Sequence, residues 1–275
     1  MGEGHCNAEI DVTSSCTNYY TQMLNKVPEV TLAFWVIKIM STTVGETGAD
    51  YLAVHVGLGT FVTDILMASL LIMSLLIQLG KDRYVPWSYW LSVVLISIVG
   101  TQITDALTDG LGVSLYLSSA VFAVILAATF AVWYAVERTL SIHTIYTRRR
   151  ELFYWAAVLF TFALGTAAGD LATEALSLGF RLGVVIFGTM IAAITAACYA
   201  GLLNPVLAFW LAYILTRPLG ASLGDLLSQA RTYGGLGLGT VYTSVAFLTI
   251  IVSLVAYLSL GADRPSFDNR AEDSP

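Results

Sequence analysis

Long apolar runs alternate with short polar breaks along the chain, and eight of these runs reach the roughly 20 residues that a helix needs to cross the hydrocarbon core of a bilayer. They fall near 30–52, 60–79, 87–108, 113–136, 152–175, 180–200, 205–228 and 239–260. Little between residues 29 and 260 lies outside them. The pattern therefore predicts an all-α integral membrane protein, with one eight-helix membrane domain at 29–260, polar tails at 1–28 and 261–275, and no soluble domain.

The runs repeat in pairs. Aligned on an aromatic-Trp pair, the odd-numbered runs read FWVIKIMSTTVGETGAD (34–50), YWLSVVLISIVGTQITD (89–105), YWAAVLFTFALGTAAGD (154–170) and FWLAYILTRPLGASLGD (209–225), without a gap. Trp35, Trp90, Trp155 and Trp210 are followed ten residues later by Gly45, Gly100, Gly165 and Gly220, and fifteen residues later by Asp50, Asp105, Asp170 and Asp225. Four tandem two-helix repeats follow, at 29–80, 86–137, 152–200 and 204–260. Each contributes an even number of spans, so all four should run parallel, related by a pseudo-fourfold or twofold axis along the membrane normal. Further on, each unit reaches a Leu-Gly, at Gly59, Gly112, Gly179 and Gly239, that reads as a helix C-cap before the second span.

These features resemble a family of bacterial membrane proteins built of four tandem two-helix repeats, each marked by a tryptophan, whose repeat is of unknown function. The likeness covers roughly residues 29 to 260. It is carried by the four Trp-Gly-Asp units and by the linker ERTLSIHTIYTRRRELFYW at 137–155. It implies a fold pattern and no activity.

On a helix, residues four apart share a face. Stepping by four from the third residue after each tryptophan gives Lys38, Thr42, Glu46, Asp50 in the first repeat; Val93, Ser97, Thr101, Asp105 in the second; Val158, Phe162, Thr166, Asp170 in the third; and Tyr213, Arg217, Ala221, Asp225 in the fourth. One more step adds Asp109 and Glu174. This polar stripe converges on carboxylates, and Lys38 and Arg217 are its cations, expected to act as counter-ions or to compete with a transported cation. The motif glycines each have a small residue four later, a spacing that lets membrane helices approach closely, so their main expected role is packing. Pro218 adds an expected kink in the seventh span.

Charge sets the expected orientation. With eight spans, both termini share a side with the loops at 80–86, 137–151 and 201–204, and that side carries Lys26, Lys81, Arg83, Arg138, Arg148, Arg149, Arg150, Arg264 and Arg270, against Arg181 and Arg231 on the other. The positive-inside rule then puts both termini in the cytoplasm, with the chain in a bacterial inner membrane. Residues 1–28 hold no apolar core of a cleavable signal peptide, so the first span is expected to direct insertion. Composition agrees with the membrane reading, at 57% hydrophobic and only 12% charged. The net charge of −6 sits largely in the tails and points to no nucleic-acid partner. Cys6 and Cys16 would face a reducing compartment and Cys198 lies in a span, so no disulfide framework is indicated. His55 and His143 lack a second ligand at metal spacing.

The expected site is a cluster of Asp50, Asp105, Asp170, Asp225, Glu46, Asp109 and Glu174 in a water-filled cavity, with Lys38 and Arg217 beside it. Such carboxylates cannot all stay ionised together without compensating charge, and Lys38 and Arg217 neutralise only two. Oxygen donors without thiolates suit a proton, an alkali ion, Mg²⁺ or Mn²⁺ rather than copper or zinc. The leading expectation is a transporter or channel for a small inorganic cation, with the lipid bilayer as its surroundings and no cofactor beyond the bound cation. An intramembrane aspartate-dependent hydrolase is the main rival, although AGD at 168–170 and LGD at 223–225 lack the Gly-x-Gly-Asp form of intramembrane aspartyl proteases. A signalling or scaffold protein acting through its TRRRE loop is the third.

Overall fold

A computed structural model describes residues 25–50, 59–175 and 179–262 of the chain. Within these, the side chains of Glu46, Asp50 and Glu174 lie outside the described residues, as does His55. The described residues form eight α-helices: α1 (Leu32–Asp50), α2 (Thr60–Leu79), α3 (Pro86–Asp105), α4 (Leu115–Glu137), α5 (Arg148–Asp170), α6 (Gly179–Tyr199), α7 (Pro205–Ser228) and α8 (Thr240–Ala262). Seven are long and apolar enough to cross a membrane, and α1 has its apolar stretch at Leu32–Gly45.

The helices form two layers. α1, α3, α5 and α7, which carry the Trp-Gly-Asp units, make a closed inner ring in which each packs on the next and α7 packs back on α1. The second helix of each repeat lies outside and packs on the first helix of the following repeat: α2 on α3, α4 on α5, α6 on α7 and α8 on α1. In α3, α5 and α7, 56 to 61% of the spanning window is buried, against 11 to 22% in the outer helices. An outer helix therefore needs only one inward stripe. In α2 it is Thr63, Met67, Leu71, Ser74 and Gln78, spaced three or four apart.

Small residues set the inner spacing. A Cβ on Gly100 would stand 2.7 Å from Cβ of Phe162, and one on Gly220 would stand 2.8 Å from Cβ of Thr42. Gly45 abuts Ser97 and Gly165 abuts Arg217 with the same closeness. In all four cases the glycine ten residues after one tryptophan faces the residue seven after the tryptophan of the next repeat. The expected packing role is met, because only a missing side chain allows this approach.

Gly59, Gly112, Gly179 and Gly239 all take positive φ, from 67° to 84°. Gly112 follows Leu111, the C-cap of the turn that ends the second inner helix, as expected, whereas Gly59 is the N-cap of α2. The chain turns sharply there to start the return helix, and glycine is the residue without a Cβ penalty at such φ. Three of the four repeat tryptophans, Trp90, Trp155 and Trp210, are packed inward and buried. Each indole N–H finds an acceptor, in the Tyr84 hydroxyl, the Glu151 carboxylate and the Leu140 carbonyl respectively. With that bond made, burying the ring costs no unpaired donor.

Candidate functional site

The inner ring encloses a filled axis. At its tryptophan end lie the aromatic residues that precede the tryptophans, with Phe34 5.5 Å from Trp90, Tyr89 5.4 Å from Trp155 and Tyr154 6.1 Å from Trp210 between ring centroids. The Tyr89 and Tyr154 hydroxyls are 2.5 Å apart. Phe34 closes the circle against Phe209 at 6.1 Å.

The next level holds the two cations of the stripe. Lys38 is 1% exposed, with its ammonium 3.7 Å from the centroid of the Phe162 ring and 4.3 Å from that of Tyr213. Aromatic faces attract a desolvated cation through the ring quadrupole. Arg217 is also 1% exposed and reaches across the ring. Its Nε donates to Thr166 Oγ1 at 3.0 Å, one terminal nitrogen donates to the Thr42 carbonyl at 3.1 Å, and the other donates to Thr101 Oγ1. From α7, one guanidinium thus touches α1, α3 and α5. Its planar fork of five donors makes this possible, and an ammonium could not satisfy the same set.

Hydroxyls stitch the same levels together. Thr43 Oγ1 donates to the Gly220 carbonyl at 2.8 Å, Ser97 Oγ to the Ser41 carbonyl at 2.9 Å and Thr104 Oγ1 to the Ala163 carbonyl at 3.1 Å. Thr42, Ser97, Thr101 and Thr166, the stripe's serine and threonine members, are all buried.

The carboxylates lie farther along. Asp105, Asp170 and Asp225 are half-buried near the ends of α3, α5 and α7. Directly after Asp105 the helix widens into a π-helical turn, Ala106–Gly110, that carries Asp109 exposed on it. A second π-helical turn, Leu171–Ala175, follows Asp170 and contains Glu174, whose side chain lies outside the described residues together with Glu46 and Asp50. Among the described residues, no three His, Cys, Asp or Glu side chains group so as to hold a metal ion.

One charged pair was not legible in the stripe. Lys26 Nζ lies 2.8 Å from Glu151 Oε2, both nearly fully buried. The other carboxylate oxygen accepts from Gln78 Nε2 at 3.2 Å and Trp155 Nε1 at 3.4 Å. Lys26 also donates its backbone N–H to the Ile145 carbonyl at 2.9 Å, and Asn25 accepts from the Tyr84 backbone N–H at 3.2 Å. Asn25 and Lys26 are therefore tied across the tryptophan end of the bundle. Lys26 had counted only as a positive-inside charge, and nothing in the spacing pairs it with a residue 125 positions away.

An all-helical chain of four tandem repeats, seven of its helices long and apolar enough to cross a membrane and two basic side chains buried between its inner helices, is compatible with a multi-pass membrane protein. The chain belongs to the family described as Repeat of Unknown Function (DUF347), whose model matches residues 33–84, 88–139, 153–200 and 208–261. No curated protein and no solved structure matches it.

Proposed function

We propose that this protein is a carrier for a small hard cation, such as a proton, an alkali ion, Mg²⁺ or Mn²⁺, and that it spans a bacterial inner membrane eight times with both termini cytoplasmic. The lopsided distribution of Lys and Arg supports the orientation. A parallel arrangement of the repeats is supported by equivalent positions meeting at two levels, the aromatic pairs at one and the glycines at the other. The filled axis favours a carrier, which must change shape to pass its cargo, over an open channel.

The observation that carries the cation reading is the change from α to π geometry immediately after Asp105 and Asp170. Single π turns inside helices concentrate at functional sites. An aspartate near the C-terminal end of a helix also opposes the macrodipole, a position that a bound cation would favour. Lys38 and Arg217 then form the barrier beneath an acidic mouth, and cargo binding at the mouth favours the helix movement that opens it.

In liposomes the purified protein should move a hard cation in a pH-dependent way. Asp105→Asn or Asp170→Asn should abolish flux without unfolding the protein. A folded variant with Asp50, Asp105, Asp170 and Asp225 all changed to Asn that still transports at the wild-type rate would overturn the reading, and a peptide-cleaving activity lost with the same changes would replace it with the hydrolase. A second reading, transport of a small anion, draws on Lys38 in its aromatic surroundings; chloride or phosphate flux abolished by Lys38→Met would select it.

A further inference from the structure

Between α4 and α7 runs an apolar groove of about 640 Å³. Ala127 and Phe130 of α4 and Leu207 and Leu211 of α7 wall it, and Arg138 and Asn204 stand at its mouth. Ala123 and Ala127, four apart on α4, leave the room. From Arg138 down to Ala123 the helix covers about 22 Å at 1.5 Å per residue, enough for a headgroup and the acyl chain of one leaflet, whose hydrocarbon half-thickness is about 15 Å.

The mouth is cationic. Glu137, the adjacent acid, is held by Arg149 Nε at 2.5 Å and Arg150 Nε at 2.6 Å, while Arg138 has no ion pair among the described residues. Arg138 is exposed and has a φ of 57°, the one positive value outside glycine among the described residues. At the end of α6 the residue in this left-handed conformation is Gly201, φ 71°. Glycine adopts such φ freely and a residue with a Cβ does not. An arginine kept there is a local strain that a binding role accounts for. Asn204 lines the same groove, and its Oδ1 caps α7 by accepting from the Val206 N–H at 2.9 Å, so the cap does not use its amide NH₂.

We propose that this groove binds an anionic glycerophospholipid, one acyl chain lying between α4 and α7 and the phosphate held by the Arg138 guanidinium and the Asn204 amide. The charge at the mouth selects an anionic lipid over a zwitterionic one, and the groove selects a lipid over a free anion. The site rests on the membrane reading of the chain and not on transport, and extraction from membranes by detergent but not by salt or alkali checks that reading separately.

The test is thermal unfolding of delipidated protein in neutral detergent. Phosphatidylglycerol should raise the midpoint by about 4 °C, the scale expected of a ligand well above its dissociation constant. Phosphatidylcholine and inorganic phosphate should not. Arg138→Gly should start from a higher midpoint, because the strain is gone, and lose the response. Arg138→Gln should lose the response without that gain. Leu211→Trp, which fills the groove and keeps the arginine, should also lose it. Equal shifts with phosphatidylcholine, the full shift with phosphate alone, or a retained shift in Arg138→Gly would each overturn the proposal. So would a protein dimer whose formation removes the shift, because the groove would then belong to a second copy.

Discussion

Gly220 of the fourth repeat packs directly on Thr42 of the first, so closely that a Cβ at Gly220 would stand 2.8 Å from Cβ of Thr42 and 2.9 Å from the carbonyl oxygen of Ile39. This contact closes the inner ring, and it stands beside the hydrogen bond from Thr43 Oγ1 to the Gly220 carbonyl. Neither neighbour is the free end of a flexible chain, so an added methyl group must move backbone. Gly220→Ala should cost about 1–3 kcal/mol, the usual scale of overpacking. Gly110→Ala, with open space around it and no positive φ, should stay within about 0.5 kcal/mol. Unfolding in detergent with a graded denaturant measures both.

Arg217 ties α7 to the other three inner helices through Thr42, Thr101 and Thr166. Arg217→Lys keeps the charge and loses the fork, leaving buried acceptors unmatched. It should destabilise the protein by about 2 kcal/mol, since hydrogen bonds to charged groups each contribute about 1.5–3 kcal/mol. Wild-type stability in the lysine variant would show that charge alone matters at this position.

The Lys26–Glu151 pair is buried on both sides. Lys26→Met should cost about 3–5 kcal/mol, because it strands a buried carboxylate. Adding Glu151→Gln should recover most of the loss, as the amide oxygen still accepts from Gln78 and Trp155. A double-mutant cycle on unfolding free energies reads the recovery, and no coupling between the two changes would contradict the pairing.

Tyr84, in the loop between α2 and α3, has its phenol pushed well above the ordinary value of about 10 by burial, against which the hydrogen bond from Trp90 works only partly. A raised folded value means the unfolded chain loses this proton first, so the contribution to stability is complete below about pH 10 and falls as pH rises beyond it. Tyr84→Phe should therefore lower stability near neutrality, where Trp90 loses its acceptor, while flattening the alkaline fall. An unchanged slope above pH 10 would contradict this.

The number of helices, the four repeats and the close approach at Gly45, Gly100, Gly165 and Gly220 were legible in the sequence because each is a local or periodic property: helix length follows from runs of apolar residues, and a helix face follows from spacing by three and four. The same spacing put Lys38, Thr42, Thr101, Thr166 and Arg217 on one stripe. Their meeting was decided only by tertiary structure. It depends on how far each inner helix rotates and slides before the ring closes, which placed the glycine of one repeat opposite the seventh residue after the next tryptophan and so brought Arg217 beside Thr42, Thr101 and Thr166. The inward turn of the tryptophans, the bond between Lys26 and Glu151 and the π turns after Asp105 and Asp170 belong to the same class. The Lys26–Glu151 pair sets the desolvation of two charged groups against a partner 125 positions away, and that balance exists only once the helices have packed.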